Sequence, residues 1–164
     1  VGELIPRKNH ETLIRAAAQI KGITLAIAGQ GPLKEHLTSL IEELGVADRV
    51  KLLGYRKDIS ELCAAADVFV LPSFQEGLSV ALMEAMACGL PCAVSAIRGN
   101  IDLIDEKGGV LFDPHSVEET AAALTEIVKG DRVSMGSHNM EKVTEFDSEH
   151  VIDIMRKLYA EENK

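Results

Sequence analysis

The chain has 164 residues, 46% of them hydrophobic but only 4% aromatic, which fits one domain with an aliphatic core. Its formal net charge of −9 at pH 7 argues against nonspecific nucleic-acid binding and against a basic membrane-docking face. A local nest of backbone amides can still bind phosphate within such an acidic protein.

The first half of the chain alternates short apolar runs with helical patterns. Residues 1–5, 23–28 and 49–53 are apolar runs of strand length and predict the first three strands. A helical spacing of apolar residues follows each run, and Gly22 and Gly45 mark the ends of the first two helices. Asn9 and Asp58 are the expected N-caps of the first and third helices.

The second half continues the alternation. Apolar runs at residues 67–71, 92–95 and 109–112 predict three further strands. Helices are expected at 80–88, around 101–104 and from Ser116 to Val128, whereas residues 131–145 are polar with only a weak helical period. A last helix is expected from Phe146, with one apolar face formed by Val151, Ile154, Met155, Leu158 and Tyr159.

This order of elements predicts an α/β fold, a Rossmann-like doubly wound parallel sheet of about six strands. Ligands of such sheets bind at the carboxyl ends of the strands. The loops expected there are residues 6–9, 29–32, 54–57, 72–79 and 96–100.

The loop before the fourth helix carries the most distinctive chemistry. Gly77 permits a close backbone approach, and Ser79 is a good N-cap whose helix directs free amides and the positive end of its dipole at one spot. Glu76 and Glu84 flank that spot and would accept hydrogen bonds from hydroxyls. A nucleotide sugar has phosphates in its middle and hydroxyl groups at both ends, and so fits all of these features. The structural alternative is an ordinary helix cap with solvated carboxylates.

Residues 72–91 read Pro-Ser-Phe-Gln-Glu-Gly-Leu-Ser-Val-Ala-Leu-Met-Glu-Ala-Met-Ala-Cys-Gly-Leu-Pro. This stretch resembles the motif of the retaining glycosyltransferases of family 4, which have the two-domain GT-B fold. The likeness extends over nearly the whole chain. It implies that residues 1–164 form the single nucleotide-sugar (donor) binding domain, the C-terminal half of such an enzyme. The N-terminal acceptor domain would then be absent from this chain, an excised piece of a longer protein.

The resemblance also implies roles for single residues. Lys8 and Glu76 would be the catalytic pair: Lys8 neutralises the departing diphosphate, and Glu76 positions the donor sugar for front-face transfer. Glu84 would bind the ribose hydroxyls. The remaining donor-binding residues would be the phosphate-facing Gly77, Leu78 and Ser79, the cleft residue Gly31, and the base-binding loop Gly54, Tyr55 and Arg56. No metal and no cofactor beyond the substrate is expected.

Two segments depart from the family pattern. Glu3 stands where the family has a second phosphate-binding arginine, so Arg7 or Arg56 would have to compensate for the reversed charge. The segment 98–104 contains Asn100 and Asp102 in place of family residues, which leaves its part in donor binding open.

The resulting functional prediction is a hexosyltransferase-type enzyme that transfers a sugar from a nucleotide diphosphate sugar to a saccharide or lipid-linked acceptor. Polysaccharide or glycoconjugate biosynthesis is the expected setting, and the fragment alone should be inactive. The alternatives are a degenerate, non-catalytic nucleotide-binding or interaction module, an epimerase or phosphorylase of related architecture, and a nicotinamide-dependent oxidoreductase. The last is disfavoured because Gly29-Gln30-Gly31 lacks a third glycine.

The remaining expectations concern location and isolated side chains. No apolar run reaches transmembrane length and no signal peptide is visible, so a cytoplasmic domain is predicted, with the cytoplasmic membrane face as the alternative for the full enzyme. No direct membrane insertion and no nucleic-acid partner are expected. The three cysteines should be reduced, buried thiols, and the five histidines surface or capping residues.

Overall fold

The computed structural model describes residues 1–147, 152 and 155–157. Its strands are β1 Leu25–Ala28, β2 Val50–Gly54, β3 Phe69–Leu71, β4 Cys92–Ser95 and β5 Gly109–Phe112. Its helices are α1 His10–Gln19, α2 Lys34–Glu43, α3 Ile59–Ala64, α4 Val80–Ala87, α5 Asn100–Leu103, α6 Val117–Lys129 and α7 Arg132–Val143. Short 3-10 turns cover Pro6–Lys8 and Thr144–Phe146.

The strand pairing is parallel throughout the described residues. β1 pairs with β2, and a second sheet has the order β3-β4-β5. Helices separate the parallel strands in sequence, as right-handed crossover units require. The predicted α/β class is therefore confirmed, with five strands instead of about six.

The missing strand is the first one predicted. Residues 1–5 are not a strand but an irregular segment that leads into the 3-10 turn at Pro6–Lys8. Backbone bonds tie it to the last residue of β1 and to the loop that follows: Gly2 N–H donates to Ala28 O at 2.9 Å and Leu4 N–H to Gln30 O at 2.8 Å. The apolar composition was correctly read as buried, since Leu4 is 1% exposed, but the segment lacks the paired neighbours that define a strand.

Strand side chains alternate between two buried layers on the faces of the β3-β4-β5 sheet. One layer contains Phe69, Leu71, Cys92 and Val94 with Leu82 of α4. The other layer joins Ala93 and Phe112 to the helices α1 and α6. This alternation with period two explains why the strands read as continuous apolar runs: both faces are covered by helices.

The segment 131–145, which has weak helical periodicity, forms the regular helix α7. A buried asparagine supplies what the apolar pattern lacks: Asn139 Nδ2 donates to Leu90 O and to Gly108 O, each at 2.8 Å. Gly136 packs directly against the backbone of Gly89. A helix held by such polar and close backbone contacts has no strong hydrophobic period, which is why the sequence pattern understated it.

All three predicted N-cap positions are confirmed, but only Ser79 caps its helix through a side-chain hydrogen bond. Ser79 Oγ accepts the Leu82 N–H at 3.4 Å. Asn9 and Asp58 occupy N-cap positions, but neither side chain bonds to the helix backbone. Asn9 instead donates hydrogen bonds to backbone oxygens of two loops. Asp58 accepts hydrogen bonds from Arg56.

The last predicted helix falls mostly outside the described residues, which include only Met155 of its proposed apolar face. Met155 is helical and exposed. In the described part of the chain no helix has the length and apolar content needed to cross a bilayer.

The thiol and imidazole predictions need correction at two positions. Cys63 and Cys92 are buried and free as expected, but Cys88 is exposed. His10, predicted to be a surface or capping residue, is 6% exposed, and its Nδ1 has no hydrogen-bond partner. His150 lies outside the described residues.

Burial of His10 has a consequence for stability against pH. Burial, followed by the charges of the Val1 amine and Lys8, lowers the pKa of His10 from 6.5 to about 4. Between these values the unfolded chain binds a proton at His10 that the folded chain does not, so this group stabilises the fold fully above pH 6.5 and progressively less as the pH falls towards 4. The slope is about 1.4 kcal/mol per pH unit.

We therefore expect His10→Gln to reduce the loss of unfolding free energy between pH 7 and pH 4.5, measured by urea denaturation at several pH values. The change should be largest below pH 6.5, where the unfolded imidazole is protonated. His115→Gln removes an exposed histidine and is the matched control. Identical pH slopes for His10→Gln and the parent chain would contradict this assignment.

Candidate functional site

The loops at the carboxyl ends of the strands meet in pairs. Gly29 N–H donates to Gly54 O at 2.8 Å, which joins the loop after β1 to the end of β2. Phe74 N–H donates to Arg7 O at 2.9 Å, which joins the 3-10 turn at Pro6–Lys8 to the loop after β3. The predicted ligand loops therefore lie at one end of the sheets, as expected for this class of fold.

The candidate catalytic residues are in direct contact. Lys8 Nζ lies 2.6 Å from Glu76 Oε1. Their side chains are 16% and 7% exposed, so solvent screens this ion pair far less than a surface pair. Residues separated by 68 positions in the sequence thus form one charged unit.

This ion pair has a clear electrostatic function in the free protein. Each charge compensates the other, and leaving either one unpaired in a largely buried position would be costly. The lysine ammonium has three protons, of which one meets Glu76, and the carboxylate has further acceptor positions. Lys8 can therefore meet an anion, and Glu76 a hydroxyl group, without the contact between them being lost.

The N-terminus of α4 lies directly after this carboxylate in the chain. Ser79 is buried and caps the helix by accepting the Leu82 N–H. The other amides of the first turn have no intrahelical acceptor, as at any helix N-terminus. Leu78 and Val80 beside it are 56% and 62% exposed. The start of this helix is therefore open to solvent and can accept an anionic group.

Gly99 supports the peptide that precedes the helix. Its φ of +93° suits glycine, and a side chain there would collide with the backbone oxygen of Gly77. The backbone of Glu76 lies on the same side. Sequence analysis did not single out Gly99, although a Gly-Asn pair directly before a short helix was visible.

Glu84 occupies the exposed surface of α4. It is one turn after Val80, and residues four apart lie on the same helix face, so the carboxylate lies on the open side of the helix near its start. Among the described residues no hydrogen bond or ion pair engages the Glu84 carboxylate, and none links it to the Lys8–Glu76 pair. Its acceptor oxygens are available for a ligand.

Gly31 is required by packing in this structure. A Cβ at Gly31 would lie 2.5 Å from Leu4 O, and one at Gly29 would collide with Gly2 O. The glycines let the loop lie flat against residues 2–4, where Leu33 N–H also donates to Leu4 O at 3.0 Å. That accounts for both glycines without a ligand, and the predicted part of Gly31 in donor binding stays a prediction.

The loop after β2 presents its side chains to solvent. Gly54 has a φ of +69°, which turns the chain, and Tyr55 is 64% exposed. Arg56 makes two hydrogen bonds to Asp58, and these lower the pKa of the Asp58 carboxyl. The charge of Arg56 is thus already compensated.

Arg7 has a different environment. Its Nη1 donates to the backbone oxygen of Gln75 at 3.3 Å, next to Glu76. Glu3 is exposed, and none of the described side chains forms an ion pair with it. Of the two arginines considered as compensation for Glu3, Arg7 is the one beside the candidate site.

Asn9 was missed as a site-building residue. It has a φ of +52° and is 6% exposed, and its Nδ2 donates to Pro72 O at 3.0 Å and to Pro114 O at 2.8 Å. It thereby joins the loops after β3 and β5 and fixes the backbone beside Lys8. An asparagine directly after a Pro-Arg-Lys turn, where a left-handed residue is needed, was the available indication.

A second buried network supports the loop after β3. Ser95 Oγ donates to Ser73 O at 2.7 Å, and Asn100 Nδ2 donates to Ser95 O at 3.1 Å and to Ser95 Oγ at 3.0 Å. All three residues have no exposed surface. Asn100, which sequence analysis considered for donor binding, has its amide nitrogen directed at Ser95 instead.

Comparison with known proteins adds an independent result. The family model described as "Glycosyl transferases group 1" matches residues 1–143. The D-inositol 3-phosphate glycosyltransferase of Mycolicibacterium smegmatis is 30% identical over 169 residues, covering 98% of this chain and 39% of that protein. A UDP-Gal:alpha-D-GlcNAc-diphosphoundecaprenol alpha-1,3-galactosyltransferase of Escherichia coli is 33% identical, covering 98% of this chain and 44% of that protein.

A solved structure agrees with these relatives. Anabaena Alr3699/HepE in complex with UDP superposes with a TM-score of 0.86 at 27% identity, covering 97% of this chain and 47% of that one. The predicted Rossmann-like fold of GT-B glycosyltransferases is thereby confirmed. The chain spans less than half the length of the curated relatives it matches. Since the family model covers most of the sequence, the chain belongs to the group 1 glycosyl transferases.

Proposed function

We propose that this chain is the donor-binding, C-terminal half of a retaining GT-B glycosyltransferase of family 4. It binds a nucleotide diphosphate sugar and, with an N-terminal acceptor domain, transfers a hexose to a saccharide or lipid-linked acceptor. The observation that carries the proposal is the largely buried Lys8–Glu76 ion pair beside the open N-terminus of α4. It combines a cation for phosphate, an acceptor for sugar hydroxyls and free amides in one place.

The diphosphate would lie between the α4 N-terminus and Lys8. The amides of Gly77, Leu78 and Ser79, together with the helix dipole, offer donors to its oxygens. Lys8 supplies the positive charge that stabilises the diphosphate as the glycosidic bond breaks. Lys8 and these amides would supply the neutralisation, so the proposal calls for no metal ion.

The two carboxylates would bind the two ends of the donor. Glu84, exposed and without a protein partner among the described residues, accepts hydrogen bonds from the ribose hydroxyls. Glu76 is directed by Lys8 and orients the donor sugar, and transfer on the front face then retains the anomeric configuration. The base would lie against Gly54, Tyr55 and Arg56, near Gly31.

The matched proteins support this assignment by what their names state. The Escherichia coli relative is named for UDP-Gal, and Anabaena Alr3699/HepE was solved with UDP-glucose as well as with UDP. UDP and UDP-hexoses are therefore the first probes to use. Glycoconjugate biosynthesis at or near the cytoplasmic membrane face is the setting we propose for the full enzyme.

A degenerate, non-catalytic module is the second candidate, and Glu3 is the observation that favours it. A carboxylate near a departing diphosphate opposes the reaction. The position of Arg7 beside Gln75 favours the active enzyme, since Arg7 places a second cation next to the Lys8–Glu76 pair. Arg56 cannot supply this second cation, because its guanidinium is hydrogen-bonded to the Asp58 carboxylate.

The ribose contact can be tested by calorimetric titration of the chain with UDP, GDP and ADP, each with and without an attached hexose. Glu84→Ala should weaken binding of the preferred nucleotide by about 1–3 kcal/mol, or roughly 5- to 150-fold in Kd, because a hydroxyl–carboxylate contact is lost. Glu126→Ala, an exposed glutamate of α6, is the matched control. Equal affinities for Glu84→Ala and the parent chain would contradict a ribose role for Glu84.

The leaving-group cation can be tested in the full-length enzyme. Lys8→Gln should lower kcat by about 10²- to 10³-fold, because one preorganised electrostatic contact to the transition state is removed. Lys21→Gln removes an exposed lysine in the turn after α1 and should leave kcat unchanged. Cooperative thermal unfolding would show that both variants fold, with a lower Tm expected for Lys8→Gln because Glu76 loses its partner. An unaltered kcat for Lys8→Gln would exclude Lys8 from catalysis.

The charge reversal at Glu3 can be tested against Arg7 in the same assay. If Arg7 supplies the second cation, Arg7→Gln should reduce kcat/KM about 10-fold or more, while Glu3→Arg should change it little. A large gain from Glu3→Arg with no loss from Arg7→Gln would instead favour the degenerate module.

Transfer activity from residues 1–164 alone would contradict the proposed need for the acceptor domain.

A further inference from the structure

The loop after β4 lies directly against the loop after β3. Gly99 makes this contact: its φ is +93°, and a Cβ there would lie 2.1 Å from Gly77 O and 3.3 Å from Glu76 O. A Cβ cannot approach a backbone oxygen to 2.1 Å, so only glycine lets the two loop backbones lie this close. The contact is at the carboxyl ends of neighbouring parallel strands, where ligands of this class of fold bind.

A buried polar network holds the same two loops together at their bases. Ser95 Oγ, at the end of β4, donates to Ser73 O at the start of the loop after β3. Asn100, directly after Gly99, donates through Nδ2 to Ser95 O and to Ser95 Oγ. Because the residue that follows it is fixed in this way, Gly99 has little freedom to move away from the opposite backbone.

The position of Gly99 fixes the direction of two peptide groups. Gly77 O lies closer to the Cβ position of Gly99 than its own carbonyl carbon does, at 2.1 Å against 3.1 Å, and Glu76 O lies on the same side at 3.3 Å. In a planar trans peptide the N–H points away from the C=O. The N–H groups of Gly77 and Leu78, which belong to these two peptides, therefore point away from Gly99. Two successive N–H groups on one side of a backbone form a concave anion site.

The N–H groups of Gly77 and Leu78 are open to a ligand. Both residues are exposed, and in the part of the chain that the structure describes no acceptor is bonded to either N–H. The φ of Gly77 is not positive, and a Cβ there would have nothing within 4 Å. Neither the conformation nor the packing of the described residues therefore requires glycine at this position, and the missing side chain leaves room for a ligand to approach the backbone.

We propose that Gly99 is a positioning residue for the diphosphate of the donor. It supports the carbonyl groups of Glu76 and Gly77 from behind, so that the N–H groups of Gly77 and Leu78 face the phosphate oxygens. This inference rests on the proposed function, which places the diphosphate at the N-terminus of α4. Donors that are already oriented need no reorganisation when negative charge arrives or develops, and they therefore stabilise it most strongly.

A side chain at residue 99 should disturb phosphate binding selectively. It would push Gly77 O away and, because a peptide group moves as a rigid plane, it would turn the Leu78 N–H as well. The proposed contacts to the nucleoside are made elsewhere, by Glu84 and by the loop after β2. Affinity for a nucleoside should therefore stay unchanged while affinity for its diphosphate falls.

The test compares Gly99→Ala with the parent full-length protein. Each is titrated, with NMR detection, with whichever of UDP, GDP or ADP the parent binds most tightly and with the matching nucleoside. The diphosphate affinity of Gly99→Ala should fall about 10- to 100-fold, the value of one hydrogen bond to a charged group, whereas its nucleoside affinity should equal that of the parent. A role in packing alone would change both affinities equally or neither.

Gly22→Ala is the matched control. Gly22 also has a left-handed backbone, with a φ of +81°, but a Cβ there would have nothing within 4 Å. It lies in the turn before β1, at the opposite end of that strand from the candidate site. This variant introduces similar backbone strain without the collision, so both of its affinities should match those of the parent.

A measurement on the parent protein needs no variant. Addition of the nucleoside diphosphate should move the amide proton signals of Gly77 and Leu78 downfield, because both N–H groups acquire charged acceptors. The matching nucleoside should leave these two signals unchanged. This measurement decides if Gly99→Ala does not fold.

Four outcomes would overturn the proposal. They are an unchanged diphosphate affinity in folded Gly99→Ala, an equal loss of diphosphate and nucleoside affinity, a loss as large in Gly22→Ala, and unmoved amide signals of Gly77 and Leu78 in the parent. A parent protein that binds none of the three nucleoside diphosphates would contradict the proposed function, and this inference with it. Binding by the parent therefore separates the two failures.

Discussion

The contact between Lys8 and Glu76 is the constraint on which the candidate site depends. It joins the turn after residues 1–5 to the loop after β3, and both side chains are largely buried. A buried charge needs a partner, so neither side chain can move away without leaving the charge of the other buried and unpaired. The polar network of Asn9, Ser73, Ser95 and Asn100 fixes the backbones on which this pair stands.

An acidic protein can still offer a site for an anion because the relevant charges are local. The net charge of −9 is spread over the chain, whereas Lys8, Arg7 and the amides at the start of α4 are concentrated at one edge of the sheets. The dipole of α4 and its free amides act only within the first turn. Short-range donors can therefore outweigh the average field that a diphosphate meets at a distance.

The sequence allowed the fold class and the position of the site to be predicted because both rest on local patterns. The apolar runs at β4 and β5 gave correct boundaries, and the cap at Ser79 follows from one side chain and its own helix. Features that depend on contacts between residues distant in the sequence could not be predicted from such local patterns. α7 depends on Asn139 bonding to distant carbonyls, His10 is buried in the folded chain, and Asn9 bonds to two loops.

The glycines illustrate why a motif and its cause must be separated. Gly29 and Gly31 resemble part of a dinucleotide motif, yet each lies against the backbone of residues 2–4, where any side chain would collide. Gly99 has the same relation to Gly77. These positions bring loop backbones together and so create the edge at which a ligand could bind. Close packing of the loops, rather than direct contact with a ligand, is sufficient to account for glycine at these positions, and the chemistry remains with the charged side chains and free amides beside them.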